Sequence, residues 1–135
     1  MSTTTESRSA DDIPIVALSE IGEEINTVFR AFADGTRLRI LHLLVEDEIC
    51  VGNLVKILQL PQPTVSRHLA YLRKASLVDV RKVGQWSHYS LAPARSCFQQ
   101  KLYGCLTDCF HDVPELQDDK RRARELKDNG GCCDS

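Results

Sequence analysis

The segment QPTVSRHLAYLRK, residues 62–74, decides the fold of this chain. Val65, Leu69 and Leu72 recur at the spacing of one helix face, and Pro63 suits the first helical turn, where a missing N–H costs no hydrogen bond. The opposite face is polar and basic, and side chains at three- and four-residue spacing fit the major groove of DNA. A solvated surface helix would show the same stripe, so the flanking segments decide between the two interpretations.

Both flanking segments favour DNA binding. Upstream, residues 50–58 have the spacing of a short third helix, and Gln59-Leu60-Pro61 predicts a tight turn before the fourth helix. Two short helices joined in this way form a helix-turn-helix. Downstream, residues 78–83 and 86–91 predict a β-hairpin, the wing, with basic residues at its tip. The fold class is therefore mostly α with one β-hairpin, a winged helix-turn-helix.

The remaining segments complete a single domain. Helical spacing predicts a first helix from Leu18 to Phe32, a second that ends before Glu46, and a fifth that opens at Pro93. A further short helix is expected within the charge-rich residues 115–128. The predicted organisation is a flexible N-terminal arm at residues 1–14, the winged domain at 15–113, and a C-terminal tail at 114–135.

Composition limits the function. A chain of 135 residues has room for one domain and not for a second, catalytic one. The net charge of −2 argues weakly against nucleic-acid binding, but a whole-chain sum hides local clusters. No apolar run approaches the roughly 18 residues that span a membrane, so a cytoplasmic protein is expected. Between residues 62 and 89 only Asp79 opposes the basic residues, which are Arg67, Arg73, Lys74, Arg81 and Lys82.

Four ordered motifs carry a family resemblance: FADGTRLRIL at residues 32–41, ICVGNL at 49–54, QPTVSRHL at 62–69 and GQWSHY at 84–89. With them, the stretch from Val28 to Leu91 resembles the arsenic-repressor family of winged-helix metalloregulators (ArsR/SmtB type). The resemblance implies a homodimeric repressor paired through its terminal helices, operator binding by the fourth helix and the wing, and release by an inducer at cysteine or histidine sites.

The chain departs from the family at two places. Gly35 stands where the family usually has proline, which should only loosen a helix start. Arsenic-responsive members that bind on the third helix carry three cysteines there, whereas this chain has Cys50 followed by Gly52 and Val55. Cys50 alone cannot form that site.

The resemblance and the polar stripe together predict which residues contact double-stranded operator DNA. Base-edge and phosphate roles are not separable from sequence, and Trp86 and Tyr89 are expected to pack on the core. The predicted DNA-binding residues are Gln62, Thr64, Ser66, Arg67, His68 and Tyr71 of the fourth helix and Arg81, Lys82 and Gln85 of the wing.

The cysteines predict a thiol sensor. Cys105 and Cys109 lie one helical turn apart and would share a face, although their apolar stripe also fits buried core residues. Cys132 and Cys133 form a vicinal pair after a Gly-Gly hinge and could fold back onto that face. These four cysteines are the predicted metal site. Thiolates suit trivalent arsenic, the inducer we favour, as well as zinc, cadmium or copper(I).

Other residues are weaker candidates for the sensor. Cys97 is expected to point away from the Cys105–Cys109 face and to be structural, Cys50 is an outside candidate, and His111 fits only loosely. His42 and His88 are expected to be structural or solvent-facing.

Two alternatives stay open. A redox or persulfide switch, in which two thiols form a disulfide, would give the same output without a metal. A thiol reductase with Cys132 or Cys133 as nucleophile is opposed by the lack of a second domain and of any Cys-x-x-Cys pair. The prediction is a repressor and not an enzyme.

Overall fold

The computed structural model describes residues 15–130, with side chains from residue 22 onward. It is mostly helical with one small sheet, as the sequence predicts. The helices and strands are α1 Ile15–Phe32, α2 Gly35–Leu44, β1 Ile49–Cys50, α3 Val51–Leu58, α4 Gln62–Lys74, β2 Val78–Val83, β3 Trp86–Leu91, α5 Cys97–Asp108 and α6 Pro114–Asp128.

Local hydrogen bonds set the helix boundaries. The Asp34 carboxylate caps α2 by accepting the Arg37 N–H at 3.0 Å. Gln59 adopts a left-handed conformation, with φ of 58°, and ends α3, which leaves a short turn before α4. The expectation that Pro93 opens the fifth helix is wrong: Ser96 caps α5 by accepting the Gln99 N–H at 3.1 Å, and the helix begins at Cys97.

The sheet has the strand order β1-β3-β2 and is antiparallel throughout. Val83 pairs with Trp86, so Gly84 and Gln85 form a two-residue hairpin loop. The positive φ of Gly84, 61°, suits the first position of a type II′ turn. The strand β1 was not predicted: Cys50 pairs with His88 of β3 and precedes α3 instead of belonging to it.

The core lies where the helices meet the base of the wing. α4 contributes Val65, Leu69 and Leu72, all fully buried, which confirms the periodicity of that helix. Leu54 and Leu58 of α3 pack into the same cluster. This packing fixes the opposite face of α4 toward the outside of the molecule.

α6 is a full helix of 15 residues and packs against α2 and α3. It buries Leu116 and also Asp119, a charged residue with no exposed surface. Asp119 accepts two hydrogen bonds from Arg39 of α2, at 2.8 and 2.9 Å, and one from Arg122 at 2.8 Å. A bidentate arginine pair of this geometry fixes both position and orientation, so α6 is held to the winged domain. Among residues 15–130, no helix is both long enough and apolar enough to cross a membrane.

Candidate nucleic-acid interface and cysteine sites

The outward face of α4 begins with exposed polar residues. Gln62, Ser66 and Arg67 are exposed, and Thr64 is half-buried. They occupy the first half of the helix, where free backbone N–H groups also favour contact with phosphate. The side chains predicted to contact DNA from this half of α4 are therefore accessible, with Thr64 the least so.

Arg37 of α2 organises the second half of that face. Its guanidinium carbon lies 3.9 Å from the centre of the Tyr71 ring, a cation–π contact. The same guanidinium donates to the carbonyl oxygens of Ala31, at 3.1 Å, and Arg30, at 2.8 Å. With both ends fixed, Arg37 limits the directions in which Tyr71 can point. The sequence analysis did not single out Arg37, because its partners are 31 and 34 residues away from it or are backbone atoms of α1.

His68 lies in the same cluster. Its Nδ1 atom is 3.5 Å from Nη1 of Arg37 and 3.7 Å from Oδ2 of Asp34, and the side chain is largely shielded from solvent. Burial lowers the pKa of His68 below its usual 6.5, so the imidazole is neutral at pH 7. His68 thus faces the α2 N-terminus more than open solvent, and Arg67 is the more accessible of the two neighbours.

The wing presents a mixed edge. Arg81 is exposed but forms a two-point ion pair with Glu48, and its hydrogen bonds lower the pKa of the Glu48 carboxyl. The apex of the hairpin is Gly84-Gln85, so Arg81 and Lys82 lie on the strand beside the tip and not at it. Lys82 and Gln85 are exposed. Tyr89 packs against the core, as predicted.

The comparisons with known proteins agree with this architecture. Residues 34–80 match the model of the arsR family of bacterial regulatory proteins. An uncharacterized helix-turn-helix transcriptional regulator of Methanocaldococcus jannaschii is 45% identical over 74 residues, which cover 54% of this chain and 83% of that one. The chain belongs to the arsR family. It is therefore a DNA-binding transcriptional regulator of the winged helix-turn-helix type.

Two further arsR-family comparisons are informative. The arsenical resistance operon repressor of Escherichia coli K12 is 49% identical over 76 residues, which cover 56% of this chain and 65% of the repressor. The homodimeric winged helix-turn-helix DNA-binding domain of a Mycobacterium bovis protein superposes with a TM-score of 0.57 at 26% identity, and covers 66% of this chain and 80% of that one. The likeness thus centres on the winged domain.

Cys105 and Cys109 of this arsR-family chain lie together near the end of α5. The two thiols are within hydrogen-bonding reach, and this contact raises the pKa of Cys109. Cys109 is exposed, which excludes it from the buried-core interpretation. Cys97 was expected to point away from the pair, but it is exposed and lines the same shallow groove as Cys105 and Cys109. All three are free thiols.

The other two cysteine positions differ in kind. Cys132 and Cys133 lie outside the described residues. Cys50 is buried, with 2% of its surface exposed, and is disulfide-bonded. Within residues 15–130, no three histidine, cysteine or acidic side chains converge as a metal-binding group. His111 is exposed in the turn that joins α5 to α6, and His42 is buried against the ring of Phe110.

Proposed function

We propose that this arsR-family protein is a homodimeric repressor that is released from its operator when a thiophilic ion binds its C-terminal cysteines. The observation that carries the DNA half of the proposal is the outward face of α4, where Arg67 is exposed and Tyr71 is held by Arg37. A helix whose outer side chains are oriented in advance loses little freedom when it enters a groove.

The proposed DNA contacts follow from this surface. α4 enters the major groove and the wing lies along the backbone, with half-sites of a palindromic operator about 34 Å apart in the dimer. The pairing with Glu48 leaves Arg81 the least available of the wing cations. The proposed contact residues are Gln62, Thr64, Ser66, Arg67, His68, Tyr71, Arg81, Lys82 and Gln85.

The proposed inducer is trivalent arsenic, and the proposed ligands are Cys105, Cys109, Cys132 and Cys133. Cys105 and Cys109 support the proposal because their thiols lie side by side at the surface. The similarity to the E. coli arsenical resistance operon repressor supports the choice of ion. Zinc, cadmium and copper(I) are soft or borderline ions that thiolates also bind, and they are the alternatives.

The test is release from DNA by a defined ion. Fully reduced protein, kept anaerobic and metal-free, should bind a fluorescent duplex from its own promoter more tightly than a random duplex of equal length. Arsenite should lower the fluorescence anisotropy, and the double variant C105S/C109S should respond less than C97S. Cys97 is the matched control because it lines the same groove without being a proposed ligand. A reduced protein with no preference for its promoter would refute the repressor.

A redox switch is the second candidate, and one observation favours it: Cys50 is disulfide-bonded. Loss of two protons and two electrons from two thiols, passed to a peroxide or to a small disulfide, would form such a bond. Release on oxidation together with an absence of tight arsenite, cadmium or zinc binding would favour this candidate over the metal sensor.

A further inference from the structure

A groove of about 330 Å³ separates the start of α3 from the C-terminal half of α6. Cys50, at the end of β1, lies in its wall, together with Asn53 of α3 and His88 of β3. Leu126 and Lys127, near the end of α6, line the opposite side. We call this the Cys50 groove. It lies apart from the shallow surface that Cys97, Cys105 and Cys109 share on α5.

α6 is anchored so that its last turn stays beside this groove. Arg122 donates from Nε to the carbonyl oxygen of Ile57 at 2.7 Å, which ties the middle of α6 to α3. Near its end, Lys127 pairs with Asp47 at 3.1 Å, in the loop that leads to β1. Lys120 pairs with Glu46 of the same loop at 3.0 Å. The chain that follows α6 therefore leaves from the rim of the Cys50 groove.

The length of the chain makes Cys50 the nearer target for the vicinal pair. Cys132 follows Lys127 by five residues, so an extended chain can carry it at most about 18 Å from a residue that already lines the groove. The 15 residues of α6 carry the chain about 22 Å away from the turn that joins it to α5, where Cys109 lies. The vicinal pair thus starts beside Cys50 and a helix length away from Cys109.

We propose that residues 131–135 occupy the Cys50 groove, where the thiols of Cys132 and Cys133 join that of Cys50 in one three-sulfur site. The state of Cys50 supports the proposal, because its sulfur is disulfide-bonded while Cys97, Cys105 and Cys109 are free. A second sulfur therefore reaches Cys50 in the groove, and it belongs to none of the other described cysteines.

Three thiols suit a trivalent, pyramidal ion. Arsenous acid would exchange its three As–O bonds for three As–S bonds, and each thiol proton would leave with one hydroxyl as water, so that three waters are released. Buried Cys50 would supply the inner sulfur and the vicinal pair the outer two. This assignment of the ion rests on the proposed function, and it moves the vicinal pair from the Cys105–Cys109 group to Cys50. The seat of the segment in the groove does not depend on the ion.

Peptide mapping tests the seat of the segment directly. Full-length C132S and C133S each keep one tail thiol, so a vicinal disulfide cannot form. The reduced proteins are treated with diamide, which takes two protons and two electrons from a thiol pair and becomes the hydrazine, and are then alkylated and digested with trypsin. Cys50 lies in the peptide of residues 40–56, the tail in 128–135, the Cys105–Cys109 pair in 102–120 and Cys97 in 96–101.

The expected product links residues 40–56 to 128–135 in both variants and migrates as a monomer on a non-reducing gel. A link between 102–120 and 128–135 instead, the absence of the 40–56 link from both variants, or a product that migrates as a dimer would overturn the proposal.

Arsenite binding tests the three-sulfur site in the reduced protein. C50S, C132S and C133S should each raise the Kd for inorganic arsenite at least tenfold, while C97S should match the wild type. Arsenic X-ray absorption should count three sulfur neighbours in the wild type and two in C50S. The tail variants leave the core intact, so their result stands even if C50S folds poorly.

The two proposals fail differently. Tight arsenite binding that C50S does not weaken overturns this site and leaves the metal-responsive repressor standing. Formation of the 40–56 link without any arsenite binding supports the seat of the tail and removes arsenic as the inducer.

Discussion

Removing the Asp119 carboxylate should destabilise the protein more than any other single change on α6. The side chain has no exposed surface and accepts three charged hydrogen bonds, two from Arg39 and one from Arg122. Loss of one partner from a buried ion pair costs about 3–5 kcal/mol, because the remaining charges lose their compensation. Arg39 and Arg122 keep 13% and 22% of their side-chain surface in solvent, so we expect Asp119→Ala to lie near the lower end, at about 3 kcal/mol.

Urea denaturation followed by far-UV circular dichroism measures this loss. A change of about 3 kcal/mol should lower the midpoint by roughly 1–3 M for a protein of this size, and the melting temperature by about 10 °C. All proteins are compared at one concentration, since the stability of a dimer depends on it. Asp118→Ala is the matched control: Asp118 is exposed and pairs with Arg121 at 3.4 Å, so its removal should cost less than about 1 kcal/mol. Equal losses for the two variants would refute the view that the Arg39–Asp119 pair holds α6 in place.

Three further predictions concern the DNA-binding face and the helix and hairpin ends. Arg67→Ala should weaken operator binding by about 1–3 kcal/mol, or roughly 5- to 150-fold, in an anisotropy titration, while Arg121→Ala on α6 should bind like the wild type. Asp34→Ala should cost about 1 kcal/mol at pH 7 through the lost helix cap. The Arg37 N–H lowers the pKa of Asp34 below 3.8, so this contribution is complete above that value and is lost as the pH falls through the lowered pKa. Urea titrations at pH 7 and pH 3 should therefore differ less between Asp34→Ala and wild type at pH 3. Gly84→Val should cost about 1–2 kcal/mol in the same titration, because its φ of 61° strains a residue with a Cβ atom, whereas Gly35→Ala should cost nothing.

Local patterns in the sequence were sufficient to predict α4 and the wing. The spacing of Val65, Leu69 and Leu72 depends only on the helical period, and the hairpin loop at Gly84 depends only on a tight turn, so both were readable from a few adjacent residues. The start of α5 was also readable. Ser96 followed three residues later by Gln99 is a helix-start signal, and it is stronger than the proline on which the prediction relied.

Features that depend on distant residues were not readable in this way. The strand β1 exists because Ile49 and Cys50 pair with β3 almost 40 residues later. The position of α6 depends on Arg39 and Asp119, which are 80 residues apart. The contact between Arg37 and Tyr71 likewise joins two helices. Periodicity describes which face of one helix is apolar, but it does not say which charged residue of another helix will meet it.

The position of Cys50 explains how an ion in the proposed three-sulfur site could weaken DNA binding. Cys50 is paired with His88 in the wing and immediately precedes α3, the first helix of the helix-turn-helix. A ligand that pulls on Cys50 thus acts on both DNA-reading elements through one residue, without a relay through α5. Allosteric coupling of about 1–3 kcal/mol, or 5- to 150-fold in affinity, is typical, and it requires only that the ion bind the DNA-free arrangement more tightly by that factor. A displacement of β1 relative to β3 would alter the angle between the wing and α4, and operator affinity depends on that angle because both elements must contact the same duplex.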